Sequence, residues 1–204
     1  MALRRAFRAL LPTALLALLL PLSGCGGAPQ ADGPSVSGSQ GSTPTPDPRP
    51  TPASSKGPAR NLPRPVLPEA AKQNTKEGFA AFTQYWFDTV TYGLETGDSS
   101  ALREISLPDC QMCNGYIEQS DKVKQGIGWH VGPRWTVSTF TSDMSVDPYK
   151  QALGYFFLTE SPSEDYDRSG RLTERLEPER DTHPKAIYAV HKDGRWLAAQ
   201  AGQA

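Results

Sequence analysis

The sequence predicts an α+β domain, with two or three N-terminal helices packed on a curved antiparallel sheet of three to four strands. Three observations carry that expectation. Phe79, Phe82, Trp86 and Val90 recur at spacings of three and four, the period of one helix face. From Gly128 onward the period shortens to two, with Trp129, Val131, Trp135, Val137 and Phe140 separated by polar residues. Asp193-Gly194, set between two apolar alternating runs, is a strong two-residue hairpin signal.

The first helix runs over Thr75–Thr96, its apolar stripe set against Glu77, Gln84, Asp88 and Glu95, and Gly97 supplies a stop. Asp98 is a fitting N-cap for a short second helix over Ser99–Ser106, which buries Leu102 and Ile105 and ends before Pro108. Tyr116, Ile117, Ser120, Val123 and Ile127 repeat at helical spacing, so a third helix follows Cys110 and Cys113 and ends at Gly126. Gly132-Pro133 interrupts the first alternating stretch and suggests a bulge. Further strands are expected in 151–160, in 186–190 and at Trp196-Leu197-Ala198. The charged stretch 171–179 reads as an edge strand or a loop.

Two segments precede this domain. Arg4, Arg5 and Arg8 open the chain, about a dozen mostly apolar residues follow from Ala9 to Leu20, and Leu22-Ser23-Gly24-Cys25 closes the segment. The run is short of the roughly 20 residues a spanning helix needs, and the ending looks like the lipobox of a bacterial lipoprotein. Residues 1–24 are therefore expected to be a removable signal, with Cys25 as the lipidated first residue of the mature protein. Residues 25–68 then read as a disordered tether: Pro, Ser, Thr and Gly dominate, no aromatic residue occurs, and Thr43 to Pro52 reads TPTPDPRPTP. In polyproline geometry such a stretch reaches on the order of 130 Å at most, against about 35 Å as a coil. Residues 69–204 suit a single domain with one core.

Composition excludes some function classes. The chain carries 21 basic and 22 acidic residues, and removal of residues 1–24 takes three arginines and no acid. The remainder is mildly acidic, without the basic surface that nucleic acid or anionic headgroups require. Membrane attachment has to be covalent, with two or more acyl chains on Cys25 giving a stable hold. No cofactor motif and no metal-ligand set stand out. The partners expected are the membrane, through the lipid on Cys25, and a cell-envelope protein or a small hydrophobic ligand.

This order of elements resembles the cone-shaped fold of nuclear transport factor 2 and the polyketide-cyclase-like proteins. More narrowly, the tether, the run Gly78-Phe79-Ala80-Ala81-Phe82 through Tyr85-Trp86 to Thr96-Gly97-Asp98, the pair Cys110 and Cys113, and the closing Gly194-Arg195-Trp196 form one combination with the lipobox. That combination resembles a domain-of-unknown-function family of lipoproteins from high-GC Gram-positive bacteria. The resemblance implies a surface lipoprotein with this kind of fold and carries over no catalytic residue.

Cys110-Gln111-Met112-Cys113 is the one motif with contested chemistry. On the exported side of a membrane the two thiols are expected to form a structural disulfide pinning the second helix to the third. The sharper reading is thiol–disulfide exchange, because a cysteine near a helix N-terminus ionises readily. Against it, no strand precedes the motif. As zinc ligands the pair is half a tetrahedral set, and His130, His183 and His191 lack ligand spacing.

The candidate ligand-binding residues are Tyr85, Trp86, His130, Trp135 and Phe156. The aromatics would line a pocket, or simply fill the core. With Asp88 or Asp109, His130 would form an acid–base pair in an enclosed cone. The expectation is a binding or accessory module, with a cyclase or isomerase, or an exported redox protein, as the alternatives. Glu164-Asp165-Tyr166-Asp167 reads as a solvated acidic turn rather than a calcium loop.

Overall fold

The computed structural model describes residues 48–203. The expected signal segment, Cys25 and the first part of the tether lie outside these residues.

A short 3-10 turn, Glu69–Lys72, leads into α1, Lys76–Thr96. The hydroxyl of Thr75 caps α1 by accepting from the Gly78 N–H at 3.0 Å. Gly97 ends it in the left-handed region at φ 79°, where the Lys124 backbone leaves no room for a Cβ. Helix α2, Ser100–Glu104, follows, and its first free N–H reaches Asp98. The third helix, α3, spans Gln111–Lys124 and buries Cys113, Ile117, Ser120 and Val123 along one stripe.

Eight strands make up the rest of the described domain: β1 Gly128–Val131, β2 Trp135–Thr141, β3 Ala152–Glu160, β4 Ser163–Asp167, β5 Leu172–Leu176, β6 Glu179–Arg180, β7 Lys185–Lys192 and β8 Arg195–Gln203. They form two antiparallel sheets. One has three strands in the order β1-β4-β5; the other has five, β2-β3-β7-β8 with β6 beside β3. The expected single curved sheet of three to four strands under the helices is therefore wrong, and with it the single-sheet cone implied by the resemblance to nuclear transport factor 2. β-structure predominates.

Two local features cause the difference. Gly132-Pro133 is no bulge within one strand. Gly132 sits at φ 81° and proline donates no N–H, so the ladder stops there and the chain changes sheets. Before that break, β1 pairs with the acidic stretch 164–167 rather than with the apolar strands. The charged segment 163–180, read as turn, edge or loop, supplies β4, β5 and β6. Its charges pair across strands, Arg175 meeting Glu164 at 2.6 Å.

The main core lies between α1, α3 and the inner face of the larger sheet. Phe79 stacks on Trp196 with ring centroids 4.5 Å apart, and Trp196 donates its indole N–H to the Gln73 carbonyl. Phe140 occupies the place a Cβ on Gly154 would take, which is why β3 carries a glycine at this inward position. Edge strand β2 is covered by a side chain: the Gln84 amide donates to the Trp135 carbonyl and accepts from the Val137 N–H, both at 2.9 Å. Asp193 and Gly194, both at positive φ, make the tight turn joining β7 to β8.

The end of the proline-rich stretch, residues 48–68, is among the described residues and lies along the domain. Thr51 pairs with Arg60, Ala59 is buried and donates its N–H to the Glu95 carbonyl, and the Ser54 carbonyl accepts from the Trp129 indole at 2.8 Å.

Candidate functional site

The inward positions of β3 are Ala152, Gly154, Phe156, Leu158 and Glu160, a period-two set that is apolar until its last member. Register places Lys185 of β7 opposite Phe156, and Trp135 and Val137 of β2 opposite Glu160 and Leu158. At this end of the sheet, below α3, is a cavity of about 140 Å³. Phe87, Met112, Tyr116, Trp135, Phe156 and Leu158 wall it, and Glu160 and Lys185 are its charged members.

The aromatic walls brace one another. Phe87 meets Phe156 and Trp135 with centroids 5.8 and 5.9 Å apart, and Tyr116 lies 6.0 Å from Trp135 and 5.9 Å from Trp86. Edge-to-face and tilted contacts of this kind hold the rings in place. Burial pushes the Tyr116 phenol above its ordinary pKa, and the neighbouring Glu160 carboxylate pushes the same way.

The charged members differ in their pairing. Lys185 is held by Asp181, Nζ to Oδ1 at 3.1 Å. The other oxygen of Asp181 is buried without a hydrogen-bond partner among the described residues. Half-buried Glu160 makes no ion pair or side-chain hydrogen bond among those residues.

Of the five aromatic and histidine candidates, Trp135 and Phe156 line the cavity. Trp86 is fully buried one layer behind Tyr116. Tyr85 belongs to another neighbourhood, where burial raises its phenol pKa and the Arg64 charge opposes the shift. His130 is on the smaller sheet, its Nδ1 2.7 Å from Asp165 of the adjacent strand. Asp88 instead accepts from Gln84, so the proposed pairing of His130 with Asp88 or Asp109 does not occur. Cross-strand register, not sequence proximity, decides the partner.

Cys110 and Cys113 form a disulfide, and both residues are wholly buried. The Cys110 sulfur accepts from the Cys113 N–H at the start of α3, so the bond also serves as the helix cap. It fixes the turn that presents Met112 and Tyr116 to the cavity. An attacking thiolate needs access to a sulfur, and none is offered here. Each sulfur is spent on the other, and no cluster of three or more His, Cys, Asp or Glu able to hold a metal occurs among the described residues. No helix among them is long and apolar enough to cross a membrane.

Sequence reading did not single out Phe87, Met112, Tyr116, Leu158, Glu160 or Lys185. One signal was present: Glu160 is a charge on the inward phase of an otherwise apolar alternation.

Residues 49–202 match DUF6318, described as a family of unknown function. The chain belongs to that family. The match covers the described domain almost end to end and includes 49–68, the stretch lying against it. No enzymatic family is indicated. No curated protein matches the chain. Among solved structures, the intermembrane space region of the chloroplast protein ARC6 is similar at 12% identity over 63% of this chain and 95% of that one. Its TM-score of 0.45 is too low to assign a fold or a role.

Proposed function

We propose that this DUF6318 member is a lipid-anchored, extracytoplasmic binding module whose folded domain takes a small, largely apolar ligand in the cavity between α3 and the larger sheet. One observation supports the binding part above the others: the braced aromatic wall lines a half-open cleft of about 140 Å³ at the edge of the core, a concave and mostly apolar site of the kind that takes small ligands. A cavity of about 150 Å³ with apolar walls accepts a benzene-sized molecule.

The anchoring part rests on residues 1–25, with a basic start, a short apolar run and Leu-Ser-Gly-Cys at the end. With the strap 48–68 lying along the domain, the tether in this reading is the stretch from Cys25 to about residue 47. At roughly 3.1 Å per residue it would hold the domain up to about 70 Å from the bilayer.

The test has two arms. Mass analysis of the membrane-purified protein is expected to show acyl mass on Cys25 and cleavage before it, while Cys25→Ala leaves the membrane fraction. Protein of unmodified mass recovered from the medium refutes the anchor. For binding, millimolar toluene is expected to raise the melting temperature and to quench Trp135 fluorescence. No change in either, with Phe156→Ala also silent, refutes the cavity as a binding site.

The acid–base alternative has lost its geometry, since His130 and its carboxylate partner are on the smaller sheet rather than at the cavity. Burial of both Cys110 and Cys113 weighs against the redox alternative.

A further inference from the structure

We propose that the ligand of this cavity carries a protonated amine beside a benzene-sized apolar group, and that Glu160 is the residue that selects it. The inference rests on the binding reading above and gives its ligand a chemical class.

Residues that share a sheet face with Phe156 and Leu158 point under the helices, where a charge loses hydration and is retained only with a partner. Two charged residues occupy such positions at the cavity, Glu160 and Lys185. Lys185 has its partner in Asp181, 3.1 Å away. Glu160 has none among the described residues, and Asp181 keeps one buried oxygen without a donor. Asp181, which is not part of the lining, neutralises Lys185, so Glu160 is the lining charge left without a counter-ion among the described residues. An anionic ligand would have to draw Lys185 from Asp181 and then lie beside Glu160. A cation meets an unpaired carboxylate directly.

The walls favour the same chemistry. Trp135, Tyr116 and Phe87 line the space with aromatic rings, whose faces attract an ammonium group. Volume limits the apolar part to about six heavy atoms. Benzylammonium meets these requirements, with a ring for the aromatic walls and an amine one methylene beyond it for Glu160.

The experiment compares benzylammonium, benzyl alcohol and benzoate on the full chain carrying Cys25→Ser, followed by calorimetry. Benzylammonium is expected to bind about five- to tenfold more tightly than benzyl alcohol, and benzoate weakest of the three, as a half-desolvated charge pair implies. In Glu160→Gln the first two should fall within about twofold of each other. The ranking on the unmutated site tests the inference without any variant. Equal binding of all three, a preference for benzoate, or discrimination that survives Glu160→Gln overturns the amine inference while leaving the cavity as a binding site. Failure of all three to bind overturns the binding reading itself.

Discussion

On the five-stranded sheet the inward set is apolar and aromatic, from Gly154 and Phe156 through Ile187 to Trp196, and α1 and α3 cover it. On the three-stranded sheet the apolar contribution is slight: Trp129 stacks on Tyr166 at 5.4 Å, with Val123 and Val131 beside them. Polar contacts do more there. His130 meets Asp165, Glu164 takes both Tyr166 and Arg175, and Asp167 caps the following turn through Ser169 and Arg171. The joint between the sheets is also polar. Glu95, on the last turn of α1 and almost wholly buried, takes both guanidinium nitrogens of Arg134 at 2.8 and 3.0 Å and the Gly132 N–H, while Thr91 donates to the Pro133 carbonyl. A charge therefore means different things in the two regions. On the smaller sheet it is structural and paired, whereas on the inner face of the larger one the unpaired Glu160 is conspicuous.

Four substitutions or conditions would break or sharpen this contrast. The largest effect is expected from Trp196→Ala, which empties a ring stacked on Phe79 in the middle of the main core. Denaturant unfolding should show a loss of about 3–5 kcal/mol, and a loss under 1 kcal/mol would mean that the larger sheet is not held by its aromatic core. Next comes Arg134→Ala, which leaves Glu95 buried without its counter-charge, at a cost of about 3 kcal/mol. Adding Glu95→Gln should recover part of that loss, because the penalty comes from the stranded carboxylate. Additive losses would contradict a buried clamp.

Replacing Cys110 and Cys113 together by alanine should cost about 2 kcal/mol, since the closed loop is short and its entropy small. The same change should weaken binding at the cavity, as the turn carrying Met112 loosens. In the native state, mild reductant should leave the bond closed. Rapid reduction would reopen the redox reading.

The smallest effect concerns the turn from β4 to β5. Hydrogen bonds from Ser169 and Arg171 hold the Asp167 carboxyl down to about 2. A carboxylate depressed on folding contributes stability that is complete above its unfolded value near 3.9 and is lost as pH falls through the folded one. Backbone amides of Ser169 and Arg171 should accordingly lose protection, measured against their intrinsic exchange rates, as pH drops from about 4 to 2, and Asp167→Asn should remove that dependence. An unchanged pH profile in the variant would show that the carboxylate is not the titrating group.

The helices were legible because each has a local cause: the stripe from Phe79 to Val90, Thr75 and Gly97 at the ends of α1, and Ile117, Ser120 and Val123 along α3. The hairpin at Asp193-Gly194 was legible for the same reason. Sheet membership was not, because it depends on which strands meet. Nothing local in Trp129-His130-Val131 says that its neighbour is the acidic 164–167 rather than the apolar β3. Charged strands such as 172–176, exposed on every residue, resemble loops to any reading based on burial. The strap 48–68 was equally hidden, since proline-rich composition predicts extension but says nothing of a carbonyl meeting Trp129. At the candidate site, Trp135 and Phe156 were found by aromatic character. Glu160 and Lys185 were not found, although the alternation of β3 puts Glu160 on the phase of Phe156 and Leu158.

The most direct test of the cavity as the site of binding is an amide and indole NMR titration of the full Cys25→Ser chain with benzylammonium. Shifts confined to Met112, Tyr116, the Trp135 indole, Phe156 to Glu160 and Lys185, with the smaller sheet silent, are the result expected. Shifts gathered instead on 128–131 and 163–176 would contradict it and move the site to the charged sheet.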